Sequence, residues 1–167
     1  MASQLPRHDV PDGVEPTDWS LRVTGAVERP LELDRADLVA MDLRTVDEEF
    51  SCVEGWTAAG LSWRGVELAT LLDAAGVEPA ASFGLVHAMD GDYACSFPLD
   101  RLRDALLAVE LDGQPLEVVH GGPTRLVPRA TDSDCWESVK WVSRIELRTD
   151  AAEKADTAKA LALSRIE

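Results

Sequence analysis

Cys52 is the residue whose type and position could most directly do chemistry. It follows an acidic, strand-like run and precedes a Glu-Gly-Trp turn in the stretch DEEFSCVEGW, residues 47–56. A thiolate is a soft ligand for a transition metal. The carboxylates of Glu49 and Glu54 disfavour a free thiolate, but a directly bound metal would itself deprotonate the thiol. The residues alone leave metal ligation and a packing role both open.

Other common chemical motifs are missing from the sequence. It contains no P-loop and no GxGxxG, so it offers no evident cradle for nucleotide phosphates. The segment GLSWRG (60–65) resembles a nucleophile elbow but is one residue too long. The histidines do not form a ligand cluster, and His87 is in phase with apolar residues, which favours a satisfied core histidine. No CxxC pair is present, so a structural zinc site is not expected.

The hydrophobic pattern predicts an α+β fold with mixed β-sheets and short helices. Asp34 is suited to cap a first helix. A second helix is indicated by apolar residues at helical spacing, and Gly76 can end it. Its apolar stripe consists of Leu68, Leu71, Leu72 and Ala75. A further short helix is predicted in 99–106.

Strands are predicted where apolar residues alternate with polar ones or flank a turn signal. Asp90-Gly91 and Asp112-Gly113 are strong hairpin turn signals. The predicted strands lie within segments 19–27, 42–52, 83–89, 92–98, 124–128 and 138–147, with a further short strand at the start of 30–38 and a hairpin within 107–121.

The 167 residues fit one domain, with an irregular arm over 1–18, a domain over 19–149 and a helical tail over 150–167. No apolar run approaches the ~20 residues that span a bilayer, and no signal peptide is evident. Three widely spaced cysteines, Cys52, Cys95 and Cys135, argue against a disulfide framework and fit a reducing compartment. A cytoplasmic location is therefore expected.

The charge balance narrows the range of partners. Thirty-one acidic residues face sixteen basic ones, which gives a formal net charge of −15. Such a surface repels nucleic acid and anionic membranes, so neither is an expected partner. Only three of the basic residues are lysines. An acidic, lysine-poor surface suggests a halophilic source, because salt screens the self-repulsion.

The order of segments resembles the catalytic, molybdopterin-binding domain of the sulfite oxidase family. The resemblance runs from about Trp19 to Leu147, and although each segment alone is weak, six in the right order are specific. The segments are WSLRVTGAVERPLELDRADL, CVEGW, WRGVELATLLDAAG, DGDYACSFPLDRLRDALLAVELDGQPL, HGGPTRLVP and ESVKWVSRIEL.

This resemblance implies a molybdenum–molybdopterin cofactor (Moco) held to the protein by one cysteine, and Cys52 matches that position. His120 and Arg125 in HGGPTR, with Ser138 and Lys140 in ESVK, match family positions that line the cofactor. An arginine offers a two-pronged fork for a phosphate or a pterin edge. The cofactor would carry the redox chemistry, and the protein would position the cofactor and supply the electrostatic field around it.

The sequence also departs from the family pattern. Sulfite oxidases proper carry a tyrosine near the metal where this chain has Val109, and an arginine where it has Thr57. Many relatives have a lysine where Glu137 stands, so one possible phosphate contact is lost. Trp56 and Trp141 are expected to pack instead of touching the cofactor.

The activity that the resemblance implies is oxygen-atom transfer to or from a small sulfur- or nitrogen-containing substrate. No haem segment is visible, so electrons would pass through a separate electron-transfer partner, and a monomer is expected. One alternative is a non-catalytic module of the same fold that binds pterin or another small ligand. Another is a thiol redox enzyme in which Cys95 or Cys135 resolves Cys52.

Overall fold

Two five-stranded β-sheets form the framework of the computed structural model, which describes residues 19–51, 57–89, 93–128 and 139–150. The strands are β1 (Leu21–Gly25), β2 (Leu31–Leu33), β3 (Arg44–Ser51), β4 (Thr57–Glu67), β5 (Phe83–Ala88), β6 (Ala94–Pro98), β7 (Leu106–Leu111), β8 (Gln114–Pro115), β9 (Arg125–Val127) and β10 (Val142–Arg148). The helices are α1 (Arg35–Val39), α2 (Leu68–Ala75) and α3 (Leu99–Arg103), with a 3-10 helix at Val118–His120.

The first sheet has the order β2-β1-β10-β5-β6. Its β1 and β10 strands are parallel, and its other neighbours are antiparallel, so the sheet is mixed. The second sheet places β4 between β3 and β7, and β7 also pairs with β8 and β9. Every pairing in that sheet is antiparallel. The predicted α+β class with mixed sheets and short helices is confirmed.

The short helices form where the sequence supplies local signals. Asp34 accepts a hydrogen bond from the Asp37 backbone N–H at 2.8 Å, and the Asp37 side chain accepts one from the Asp34 N–H at 3.0 Å. This reciprocal capping box starts α1 as predicted. Gly76 ends α2 in the left-handed conformation, with φ of 72°. All four residues of the predicted stripe on α2 are buried.

The two faces of the second sheet pack differently, and this difference positions the site. One face contributes Val66, Leu107, Val109 and Leu126 to the main hydrophobic core. The opposite face carries a smaller apolar cluster, formed by Trp63, Leu106, Ala108, Leu111, Leu116 and Val127. We call this second group the small cluster. The core is thus built largely by the first sheet, α2 and one face of the second sheet.

Several strands differ from the predicted pattern. GLSWRG lies inside β4, so it forms extended strand and not the turn that a nucleophile elbow requires. Strand β4 was missed because Gly60 and Gly65 interrupt its pattern, and pairing with β3 and β7 overrides that weakness. The predicted strand over 138–147 begins only at Val142, because Trp141 is left-handed with φ of 54°. The Asp112-Gly113 hairpin forms between β7 and β8 as predicted.

The predicted arm over 1–18 and the tail beyond Asp150 lie outside the described residues. The Asp90-Gly91 turn does too, although the strands on either side of it, β5 and β6, pair antiparallel. No helix in the described part of the chain is both long and apolar enough to cross a membrane.

Candidate functional site

The site is built where two chain segments, 118–126 and 139–142, are joined by backbone hydrogen bonds. Leu126 N–H donates to Val139 O at 2.9 Å, and Trp141 N–H donates to Gly121 O at 2.8 Å. Val142 N–H donates to Thr124 O at 3.1 Å. These bonds hold the end of the 3-10 helix, the start of β9 and the approach to β10 in one place.

Gly121 is the point at which the side chains of two cationic residues, Arg125 and Lys140, come together. We call these two residues the cation pair. The φ of Gly121 is +102°, and a Cβ built on it would lie 2.7 Å from Lys140 Cγ and 3.1 Å from Arg125 Cδ. Both side chains therefore run past the bare face of this glycine. A larger residue would displace them, and glycine also adopts this left-handed backbone without strain.

Arg125 is the more buried of the two cations, with 6% of its surface exposed. Its Nη1 donates to His120 O at 3.0 Å, and its Cζ lies 5.4 Å from the centroid of the Trp63 ring. Burial lowers the pKa of Arg125 to about 10, with the charge of Tyr93 acting in the opposite direction. The guanidinium is therefore still charged at neutral pH, and a desolvated cation of this kind favours a nearby anion.

Lys140 is half-buried, and an aromatic ring backs its ammonium group. Its Nζ lies 5.1 Å from the centroid of the Trp141 ring. Trp141 is itself anchored, since its Nε1 donates to Val118 O at 2.7 Å. Lys140 thus contacts Gly121 through its aliphatic carbons, and its ammonium group lies over a ring that is held by a hydrogen bond.

His120 is buried, with 4% of its surface exposed, and it ends the 3-10 helix beside Gly121. Its carbonyl orients Arg125 through the hydrogen bond already described. Gly122 follows, and a Cβ there would lie 2.0 Å from Leu116 O. The two successive glycines therefore let the backbone pack tightly at the edge of the cation pair.

The structure brings together three of the five residues that the sequence nominates. His120, Arg125 and Lys140 meet around Gly121, whereas Cys52 and Ser138 lie outside the described residues. The strands that flank the Cys52 segment are described: Ser51 at the end of β3 pairs with Thr57 at the start of β4.

Sequence reasoning missed the aromatic side of this site. Trp63 faces Arg125, and Trp141, which was expected only to pack, also faces Lys140. The adjacency of Lys140 and Trp141 in the chain was the one available signal. Nothing in the sequence pattern connects Trp63 with Arg125, because they lie on different strands.

His87, predicted to be a core histidine, is only partly buried and lies outside the hydrophobic core clusters. Its side chain is 24% exposed, and its Nε2 lies 3.2 Å from Glu146 Oε1. The alternation of β5 places it beside the charged residues of β10 and away from the main core. It is satisfied by a carboxylate, but it is no part of the cation pair.

The positive charge of the site suits the anionic end of a pterin cofactor. Two cationic side chains pass the bare face of Gly121, and one of them is almost fully buried. Arginine forks and lysine point charges are the usual protein ligands of phosphate groups.

Comparisons with known proteins agree with the fold. Residues 7–155 match the family model of the oxidoreductase molybdopterin binding domain. The chain is 33% identical over 141 residues to the uncharacterized oxidoreductase YuiH of Bacillus subtilis (strain 168), covering 83% of this chain and 69% of that protein. It is 31% identical over 133 residues to the protein-methionine-sulfoxide reductase catalytic subunit MsrP of Gluconobacter oxydans (strain 621H), covering 67% of this chain and 42% of that protein.

More distant similarities extend to larger proteins. The chain is 27% identical to the NADPH nitrate reductase of Fusarium oxysporum, covering 81% of this chain but 18% of that protein. The crystal structure of the sulfane dehydrogenase SoxCD from Paracoccus pantotrophus superposes with a TM-score of 0.75 at 27% identity, covering 83% of this chain and 40% of that one. The resemblance to the sulfite oxidase family is confirmed, and the chain belongs to the family of molybdopterin-binding oxidoreductases.

Proposed function

We propose that the protein holds a molybdenum–molybdopterin cofactor and uses it to transfer an oxygen atom to or from a small sulfur- or nitrogen-containing substrate. The observation that carries this proposal is the convergence of Arg125 and Lys140 on Gly121. One of these two cations is almost fully buried, and a desolvated guanidinium binds an anionic group more strongly than an exposed one does.

Each candidate residue has a physical role in this proposal. Arg125 presents donors for the cofactor's phosphate or pterin edge, and Lys140 adds a second positive charge. His120 lies beside them and fixes Arg125 through its carbonyl. Cys52 is the proposed metal ligand, and Ser138 is a proposed cofactor contact. When bound, the cofactor supplies the two-electron redox chemistry, and the chain supplies position and charge.

The choice of substrate class is supported by the relatives and by one position in the core. The names of similar proteins refer to methionine sulfoxide, nitrate and sulfane. Val109, where sulfite oxidases carry a tyrosine, is fully buried in the main core and offers no hydroxyl group. We therefore favour a sulfur- or nitrogen-containing substrate other than sulfite.

The setting of this activity is also a proposal. We infer a cytoplasmic monomer that exchanges electrons with a separate electron-transfer partner. The acidic, lysine-poor composition favours a high-salt cytosol, in which the repulsion between carboxylates is screened.

The first experiment tests whether Cys52 holds the metal. The protein is expressed in a host that makes the cofactor and purified in high salt, and bound molybdenum and pterin fluorescence are measured for wild type and Cys52→Ala. We expect equimolar molybdenum in the wild type and its loss in the variant. Cys95→Ala, which changes a buried cysteine of the main core, is the matched control and should keep its molybdenum.

Two results would favour the alternatives. A wild type that stays free of metal when cofactor is in excess would point to a non-catalytic pterin- or small-ligand-binding module. Trapping of a disulfide between Cys52 and Cys95 or Cys135 would point to a thiol redox enzyme.

A further inference from the structure

Trp63 lies in β4, outside both segments that build the site, yet its ring contacts the buried cation. The indole is fully buried, and Arg125 Cζ lies 5.4 Å from its centroid. Within about 6 Å, the negative face of an indole attracts a guanidinium, and the attraction is strongest when water is excluded. Both groups are buried here, so this contact belongs to the stronger kind.

The register of the second sheet explains why the two side chains meet. Arg125 pairs with Ala108, and Ala108 pairs with Gly65. The two positions directly across the sheet from Arg125 thus carry the smallest side chains, and paired residues project from the same face. Trp63 pairs with Leu111 on that face, where both belong to the small cluster. The space beside Arg125 is left for the indole.

The contact limits the directions that the guanidinium can adopt. The His120 carbonyl holds Nη1, and the Trp63 ring restricts the plane of the group. An arginine side chain otherwise has many rotamers, and fixing it before an anion arrives lowers the cost of binding.

We propose that Trp63 is a positioning residue that holds Arg125 in the orientation needed to bind the cofactor's phosphate or pterin edge. The inference rests on the proposed function, because it assumes that Arg125 binds the cofactor. It assigns no chemical step to Trp63, which acts only through Arg125. The contact between Trp63 and Arg125 also links β4, the strand that follows the Cys52 segment, to the cation pair.

The test measures how fast the pterin leaves the protein. Wild type, Trp63→Leu, Trp63→Phe and Arg125→Ala are loaded in a cofactor-making host, and pterin release after dilution into buffer with inorganic phosphate is followed by fluorescence well below Tm. We expect Trp63→Leu to release pterin about tenfold faster than wild type, close to Arg125→Ala, because the cation–π attraction is lost. Trp63→Phe keeps a ring and should be intermediate.

A second comparison separates positioning from general packing. Leu111→Ala removes side-chain volume from the same small cluster without removing a ring. It should lower Tm but leave the release rate at the wild-type value. The double variant Trp63→Leu with Arg125→Ala should release no faster than Arg125→Ala alone, because residues that act through each other are not additive.

Each outcome decides between the two proposals. Wild-type release by Trp63→Leu, or additive rates in the double variant, would overturn the positioning role and leave the proposed function standing. A wild type that never carries pterin would overturn both. An Arg125→Ala variant that releases pterin at the normal rate would overturn the positioning role and the assigned role of Arg125, while the pterin content of the wild type would still support the proposed function. If Trp63→Leu does not fold, Trp63→Met compared with Trp63→Phe decides the point by the same measurement.

Discussion

Among individual residues, His87 and Glu146 show how strand register creates a partly buried ion pair. His87 Nε2 lies 3.2 Å from Glu146 Oε1 and 3.1 Å from Arg144 Nη2, while Arg148 Nη1 lies 3.2 Å from Glu146 Oε2. Burial lowers the pKa of His87, and Arg144 and Arg148 add to that effect against the attraction of Glu146. Burial raises the pKa of Glu146, but His87 and the two arginines outweigh it and leave the pKa lowered.

These shifts predict that acid destabilises the protein in two steps. Because His87 has a lower pKa folded than its unfolded value of 6.5, the unfolded chain takes up the proton first as pH falls below about 6.5. The contribution of His87 to the free energy of unfolding is therefore full above that pH, and it is lost as the pH falls toward the pKa of His87 in the folded state. Glu146 adds a second loss below its unfolded value of 4.5. Urea unfolding at fixed salt between about pH 8 and about pH 3 measures both steps.

Two variants separate the contributions to this profile. His87→Gln should flatten the upper step and leave the lower one. Glu146→Gln removes the group that raises the pKa of His87, so the upper step should become larger. An upper step of unchanged size in His87→Gln would show that the loss comes from another group.

Among the structural elements, the site depends on two left-handed turns placed against each other. Gly121 has φ of +102° after the 3-10 helix, and Trp141 has φ of +54° before β10. The hydrogen bond from Trp141 N–H to Gly121 O links them. Neither turn belongs to a helix or strand, so the position of the cation pair is set where regular elements end.

Gly121→Ala is therefore expected to damage both stability and cofactor binding. The added Cβ would collide with Lys140 and Arg125, and the positive φ adds backbone strain. Together these should cost about 2–4 kcal/mol in the free energy of unfolding. Urea unfolding and pterin content measure the two effects.

Gly113→Ala is the matched control, because Gly113 also has a positive φ of +83° but nothing lies within 4 Å of its Cβ position. It should cost only about 1 kcal/mol and leave the pterin content unchanged. Equal pterin loss in both variants would argue against the convergence at Gly121.

The same elements show what the sequence could and could not predict. The caps and stripe of α1 and α2 are local signals, so both helices were predicted. Strand β4 has no such signal, because its extended form depends on pairing with β3 and β7. His120, Arg125 and Lys140 were nominated through the family resemblance, but the contact of Arg125 with Trp63 depends on sheet register, which no local pattern encodes. Cys52 and Ser138 remain predictions.

Across the whole molecule, repulsion between carboxylates opposes scattered surface ion pairs. Arg44–Glu67 at 2.8 Å and Arg103–Asp73 at 3.0 Å are examples of such pairs. Exposed pairs of this kind contribute only about 0–1 kcal/mol each. The surplus of fifteen acids, 31 against 16 basic residues, has no such compensation. Repulsion should therefore prevail over attraction at low salt.

Salt is accordingly expected to stabilise the protein. Raising KCl from about 0.1 M to 1 M shortens the Debye length from about 10 Å to about 3 Å, which screens the repulsion between distant carboxylates. A gain of about 2 kcal/mol would raise Tm by roughly 4–8 °C in a chain of this size. Calorimetry across this KCl range measures the rise in Tm. Sucrose, which is uncharged, serves as a control for stabilisation that does not depend on screening.

The rise in Tm with salt should depend on the net charge of the protein and not on which salt ion is used. Asp42 and Glu78 are exposed, and replacing both with lysine changes the net charge by four, from −15 to −11. This double variant should melt above the wild type at low salt, and the two should converge near 1 M KCl as screening removes the difference. A wild-type Tm that falls steadily with KCl would mean that the ion pairs outweigh the repulsion, and the inference of a saline working environment would be wrong.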